Sequence, residues 1–269
     1  MKRFVAAAVQ MTSTEDRERN LEQAFALVDR AVERGAEFVA LPENVDMIGP
    51  HGPKVAAAEP LDGPTFLRFK AKAKEKKIWL LAGSLAEVST QPGKARNTSV
   101  LYGPEGKRVA VYRKIHLFDV DLDDGTRFRE SDVVEAGTEV VIARTKLATF
   151  GMTICYDLRF PELYRALVTN KAEVLLVPSA FTLQTGKDHW EVLLRARAIE
   201  NTTWLIAPAQ TGEHGRGRRS FGNAMIVDPW GTVVARCSEG PGICVAEIDP
   251  AVLEATRAAI PSLKHRKLS

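Results

Sequence analysis

Three polar side chains with the chemistry for acyl transfer stand where apolar runs stop: Glu43 after "FVALP", Lys114 at the end of "VAVYRK", and Cys155 at the end of "FGMTIC". A free thiol has a pKa of about 8.5, so only a few per cent is thiolate at neutral pH. A neighbouring ammonium lowers that value, and a carboxylate within reach takes the proton as sulfur attacks a carbonyl carbon. Lys114, helped by the backbone N–H of Tyr156, would then hold the developing oxyanion, at about 3 kcal/mol for a single donor. Glu43, once protonated, would hand its proton to the leaving nitrogen and later activate the water that cleaves the thioester. Singly, each residue has a plainer reading as a solvated strand end or, for Cys155, core filler.

The elements that must position these groups alternate between strands and amphipathic helices. "FVAAAVQM" reads as a first strand, followed by Leu21, Phe25, Val28 and Val32 on one helical face, with Ser13 and Thr14 as capping candidates and Gly35 past the end. "EFVALPE" is a second strand stopping at Pro42, and a helix runs from about Pro64 to Lys77. "NTSVLYGP" and "KRVAVYRK" form a hairpin. The second half repeats the theme: a helix from Pro161, the strand "EVLLVPSA", a helix through "HWEVLLRARAIE", then "WLIAPAQ" and hairpin strands. Runs such as "VLLV" and "WLLAG" are apolar at every position, which predicts strands covered on both faces and a layered sandwich, sheets inside and helices outside. Two similar halves without a Pro/Ser-rich linker predict one domain over 1–269.

With 37 basic and 34 acidic side chains among 269 residues, the net charge of +3 provides no strong field for nucleic acid or a membrane surface. No segment approaches the roughly 18 apolar residues of a membrane span. The apolar run after "MKR" is too short for a secretory leader, so a cytoplasmic location is expected. Cys155, Cys237 and Cys244 are odd in number and lack CxxC spacing, which fits a reducing compartment. Cys237 and Cys244 flank the turn "SEGPGI" and are read as small buried thiols. The five histidines show no HxH or HExxH spacing, against metal hydrolysis; spacing alone leaves a cysteine–histidine arrangement open. His116, two positions after Lys114, would share its face if the strand continued, and is read as a pocket wall. Arg159 either pairs with Glu162 or another carboxylate, or binds a substrate carboxylate. The loop "HGRGRRSFG" offers Arg216, Arg218 and Arg219 for the same task, arginine gripping carboxylates bidentately.

Six stretches in order, "LPEN" (41–44), "YRKIHLFDV" (112–120), "FRES" (128–131), "CYDLRFPEL" (155–163), "HWEVLLRARAIEN" (189–201) and "DPWG" (228–231), resemble the nitrilase superfamily of carbon–nitrogen hydrolases over nearly the whole chain. The resemblance implies a single-domain four-layer α-β-β-α sandwich and a Glu-Lys-Cys triad at Glu43, Lys114 and Cys155. It also implies a supporting glutamate at Glu130, no metal or organic cofactor, and a homo-oligomer with subunit contacts in the region of Trp190. "PSAFT" (178–182) and "DPWGTVVARCSEGPGIC" (228–244) resemble the Nit branch of that superfamily. The substrate so implied is a small carboxylate-bearing amide, first of all glutathione whose amino group has become a ketone, cleaved to 2-oxoglutarate and cysteinylglycine. The alternatives are the primary amide 2-oxoglutaramate, another amide or nitrile, and, outside enzymes, an inactive scaffold homologue.

Overall fold

The computed structural model describes residues 1–121 and 127–268. The first half of the chain supplies β1 (Phe4–Met11), α1 (Arg17–Glu33), β2 (Phe38–Ala40), α2 (His51–Ala56), α3 (Pro64–Lys76), β3 (Trp79–Leu81), β4 (Leu85–Val88), β5 (Ala95–Tyr102) and β6 (Arg108–Arg113). A short hairpin, β7 (Asp119–Asp121) and β8 (Arg127–Arg129), follows. The second half gives β9 (Ile142–Arg144), β10 (Thr149–Met152), α4 (Pro161–Thr169), β11 (Val174–Leu176), α5 (Leu183–Asn201) and β12 (Trp204–Ala207). It closes with β13 (Ala209–Glu213), β14 (Arg219–Phe221), β15 (Met225–Val227), β16 (Val233–Arg236), β17 (Gly242–Ile248), α6 (Pro250–Ala259) and α7 (Ser262–His265).

One sheet runs β14-β13-β1-β2-β3-β5-β4, with β17 also on β1 and β6 also on β5; the other runs β16-β15-β12-β11-β10-β9. The neighbours β13-β1-β2-β3 and β10-β11-β12 are parallel, and these are the strands whose sequences are apolar at successive positions, because both faces are covered. Alternation along β1 assigns the layers. Ala6 and Ala8 face the core between the sheets, whereas Ala7, Val9 and Met11 pack with Leu21 and Val28 of α1 and Phe66 and Phe69 of α3. Phe38 from one sheet stacks on Phe150 from the other with centroids 4.5 Å apart. Leu163 and Leu167 of α4 and Trp190 and Leu194 of α5 bury against the second sheet. The result is the expected four-layer α-β-β-α sandwich.

Three local features depart from the sequence expectation. Asp16, not Ser13 or Thr14, caps α1, accepting from the Arg19 N–H at 3.1 Å. The helix α2 has no signature in the sequence, since six residues containing Gly52 and Pro53 show no helical periodicity. The strand β6 ends at Arg113, so alternation does not carry through to His116. The two remaining cysteines match their reading: both are buried and free, Cys244 with its sulfur 3.4 Å from the Ala224 carbonyl.

Candidate active site

Each expected catalytic side chain leaves a strand end that the backbone pins from both sides. Beyond β2, Leu41 N–H bonds the Leu81 carbonyl at 3.0 Å, and the next turn presses Pro42 against Gly83. A Cβ on Gly83 would lie 2.0 Å from the Pro42 carbonyl oxygen at a φ of +64°, so only glycine lets this approach happen. Lys114 donates its N–H to the Asn97 carbonyl at 2.9 Å, and its carbonyl accepts from Gly137 N–H at 2.8 Å. Cys155 donates its N–H to the Pro178 carbonyl at 3.0 Å and opens a 3-10 turn, Cys155–Arg159. Its φ of +48° is left-handed, a conformation that costs a side-chain-bearing residue roughly 1–2 kcal/mol.

The three segments bring Glu43, Lys114 and Cys155 into one buried cluster with Glu130. The Lys114 Nζ donates to Glu43 Oε1 at 3.0 Å and to Glu130 Oε2 at 2.8 Å. Asn97, absent from the sequence expectation, donates from Nδ2 to Glu43 Oε1 at 2.9 Å and to Glu130 Oε1 at 3.2 Å. Backbone donors complete the carboxylates, Ala180 N–H to Glu43 Oε2 at 2.9 Å and Phe118 N–H to Glu130 Oε2 at 2.7 Å. One ammonium therefore serves two carboxylates, and amide donors satisfy the remaining oxygens.

Burial pushes the Glu43 carboxyl up, but the Lys114 charge and hydrogen bond outweigh it and hold the group below the ordinary range. Burial pulls Lys114 down, yet the Glu130 and Glu43 charges leave it well above the usual lysine value. The Cys155 thiol is raised well above its usual range, by burial first and the Glu43 charge second, against the opposing pull of Lys114. This corrects the expectation of a thiolate favoured by the ammonium: at rest the site is thiol, carboxylate and ammonium. Such a trio is set up for proton transfer during attack, because Glu43 is ionised beside an acidic group that needs a base.

Asp157, fully buried, ties the nucleophile turn to the lysine segment. It accepts from Ile154 N–H at 2.8 Å and from Tyr112 Oη at 2.6 Å, and at Oδ1 it meets the N–H and Nδ1 of His116 at 3.0 and 2.7 Å. His116 stacks on Phe160 with centroids 3.7 Å apart and lies outside the cleft walls. Its side chain holds Asp157 instead of forming the expected pocket wall. Among the described residues no hydrogen bond joins His116 to Cys155, and the base that acts on the thiol is the Glu43 carboxylate, which speaks against the cysteine–histidine alternative.

The cluster opens into a cleft whose walls enclose about 800 Å³, counted out to its mouth. Tyr156, Arg159 and Arg218 line it, as do the aromatic rings of Phe118, Phe128 and Phe181. The Tyr156 N–H, in the turn just after the sulfur, has no backbone acceptor outside the regular elements among the described residues. Arg159 meets His189 Nδ1 at 3.2 Å and lies over the rings of Phe181 and Tyr156, so its side chain turns to the cleft and not to Glu162. Arg216 is exposed and pairs with Glu15 at 3.1 Å, and Arg219 is exposed on β14, so of the three loop arginines only Arg218 reaches the cleft. Lys54 of α2 also lines it, and a lysine in a short irregular stretch carries no sequence pattern that would single it out. Among the described residues no cluster of three or more His, Cys, Asp or Glu side chains is suited to a metal ion.

A buried thiol beside an ionised carboxylate and an ammonium, carried on strand ends of a four-layer sandwich, defines a cysteine-dependent acyl-transfer class of protein. The carbon-nitrogen hydrolase family model matches residues 5–258, and the chain belongs to that family, the nitrilase superfamily. It is 47% identical over 269 residues, 99% of each chain, to a deaminated glutathione amidase of Synechocystis, and 43% identical to the mouse protein of that name over 98% of this chain and 83% of the mouse chain. The crystal structure of the C. elegans NitFhit protein superposes with a TM-score of 0.92 at 40% identity, over 99% of this chain and 66% of that longer one. Saccharomyces cerevisiae Nit3, of branch 10 of the superfamily, gives a TM-score of 0.88 at 31% identity over 99% of this chain and 97% of that one. The protein is thus a hydrolase of carbon–nitrogen bonds in non-peptide amides, acting on a small amide substrate.

Proposed function

We propose that this enzyme hydrolyses deaminated glutathione through a thioester on Cys155, with Glu43 as the shared acid and base and Lys114 as the oxyanion's charge partner. The observation that carries this reading is the ion pair of Lys114 with Glu43, 3.0 Å long and buried beside the thiol. As Sγ adds to the amide carbonyl, Glu43 takes the thiol proton, and the oxygen gains its negative charge against Lys114 and the Tyr156 N–H. Glu43 returns that proton to the departing amine, leaving a thioester and a vacated site for water. The same carboxylate then takes a proton from water as it attacks, and the thiol is restored as the acid leaves. Glu130 and Asn97 keep Glu43 and Lys114 in register throughout. Arg159 and Arg218 give the cleft the charge that a substrate with carboxylates needs.

The relatives named as deaminated glutathione amidases support this substrate over 2-oxoglutaramate. Purified enzyme should show a higher kcat/KM for deaminated glutathione than for 2-oxoglutaramate, and the reverse order would transfer the assignment to an omega-amidase. Intact-mass trapping of an acyl adduct that Cys155→Ala abolishes would exclude the scaffold reading. Assembly with further copies of the chain through the outer face of α5 also belongs to this proposal.

A further inference from the structure

The charge of the cleft exceeds what the catalytic cluster uses. Of its lining residues, Lys54, Lys114, Arg159 and Arg218 are cationic, and Glu43 and Glu130 are anionic. Lys114 is engaged by both carboxylates. What remains is three cations, Lys54, Arg159 and Arg218, around a catalytic cluster of one net negative charge, a surplus of two positive charges among the described lining residues. A surplus of that size inside a partly closed cleft matches a ligand carrying two carboxylates.

The three cations reach the one cleft from three different elements. Arg159 belongs to the nucleophile turn and lies over Tyr156 and Phe181. Lys54 comes from α2, and Arg218 from the turn between β13 and β14, its guanidinium over Phe128. Lys54 and Arg218 are near enough to repel one another, and burial together with that repulsion holds the Lys54 ammonium below the ordinary lysine value despite Glu130 and Glu43. Among the described residues its hydrogen-bond partner is the neutral Asn44 Oδ1, at 2.5 Å, and no carboxylate lies within ion-pair distance of it. Lys54 and Arg218 line the same cleft, and among the described residues neither is ion-paired, so a carboxylate entering there would meet two cations free to bind it.

Resting on the amidase reading, we propose that Lys54 and Arg218 bind one substrate carboxylate and Arg159 the other, so that the enzyme selects amides carrying a carboxylate on both sides of the scissile bond. Lys54 is thereby a specificity-determining residue. Its ammonium recognises a carboxylate as a point charge, whereas Arg218 supplies the planar fork.

Three amides separate the stations. Glutaramate carries its carboxylate on the acyl side, pentanoylglycine on the leaving side, and pentanamide carries none. In Lys54→Met, the ratio of kcat/KM for one of the charged amides to that for pentanamide should fall at least tenfold; in Arg159→Met, the ratio for the other charged amide should fall. Equal losses on all three in Lys54→Met would overturn the proposal, because Lys54 would then act on the catalytic carboxylates. Loss on the same charged amide in both variants would overturn it too, since a single anion station would suffice. Calorimetric titration of glutarate, an acyl-side anion, and of cysteinylglycine, a leaving-side one, needs no turnover and is the second measurement: the Kd of one of the two should rise at least tenfold in Lys54→Met, and unchanged values for both count against the subsite. Lys54-dependent binding of either anion by a protein that hydrolyses no amide would defeat the amidase reading and leave the subsite supported.

Discussion

At Cys155 the burial that shields sulfur from water also works against the thiolate, and the neighbouring Glu43 charge adds to the effect. The same carboxylate that disfavours the resting anion is the base that removes the proton, so ionisation and carbon–sulfur bond formation are coupled. Asn97 sets how well that coupling works. Its Nδ2 holds Glu43 Oε1 at 2.9 Å and Glu130 Oε1 at 3.2 Å, and hydrogen bonds to an ionised carboxylate hold its pKa down. Removing them raises the Glu43 value. Because activity is lost as pH falls through the pKa of a base, Asn97→Leu should move the acid limb of kcat/KM to higher pH and lower the plateau about 10- to 100-fold. A pH–rate profile checks this, and an unmoved acid limb would assign Asn97 a purely structural part. Asn97 is illegible in the sequence for a physical reason: a polar residue within "ARNTSVLY" has two faces available, and only the pairing of β5 decides which one meets the glutamates.

Element ends are more legible than element neighbours. Apolar runs that stop at Pro42, Lys114 and Cys155, and a helix opened by Pro161, are statements about local covalent chemistry; the structure ends the strands one to three residues earlier, at Ala40, Arg113 and Met152, and opens α4 at Pro161. The Arg216–Arg219 loop is legible as a cationic turn but not residue by residue, since its register depends on what anchors it. His214 is that anchor. Its Nδ1–H donates to the Ser13 carbonyl at 2.7 Å, its Nε2 accepts from Ser220 Oγ at 2.8 Å, and its N–H bonds the Arg218 carbonyl at 2.9 Å. Burial, then the Arg218 charge, pulls the imidazole from 6.5 down to about 4. For a base depressed on folding, stability is fully present above the unfolded value and is lost as pH falls, because the unfolded chain takes up the proton first. Between about pH 7 and pH 4.5 this group should cost about 2–3 kcal/mol of folding free energy, since a tenfold difference in proton affinity between the two states is worth about 1.4 kcal/mol. Urea unfolding at the two pH values should show that much less pH sensitivity in His214→Gln than in the wild-type protein. Equal sensitivity would mean that the imidazole titrates alike in both states.

Across the whole molecule, α5 links the cleft to an outer surface. Its buried side carries Trp190 and Leu194 into the core, and His189 meets Arg159 at the cleft. Its outer side leaves Val192 and Ile199 65% and 48% exposed, next to Trp230, 57% exposed on the turn between β15 and β16. That turn is held against the helix: Arg195 Nε donates to the Gly231 carbonyl at 2.8 Å, and a Cβ on Gly231 would lie 2.5 Å from Ile199. Exposed apolar side chains on two neighbouring elements are the kind of surface that association covers, and a second copy of the chain is the partner that the family resemblance implies. Sedimentation velocity at micromolar concentration should therefore give a mass that is a multiple of the 29.6 kDa chain, and Trp230→Lys with Ile199→Lys should shift it toward the monomer. The expected functional consequence follows from the helix being shared. Thr182 and Thr185, at the start of α5, line the cleft along with Arg159, so an unsupported α5 should raise KM for a carboxylate-bearing amide while the intact catalytic cluster keeps kcat within a few-fold. A monomeric wild type, or a double variant that still associates, would place the subunit contact on another face.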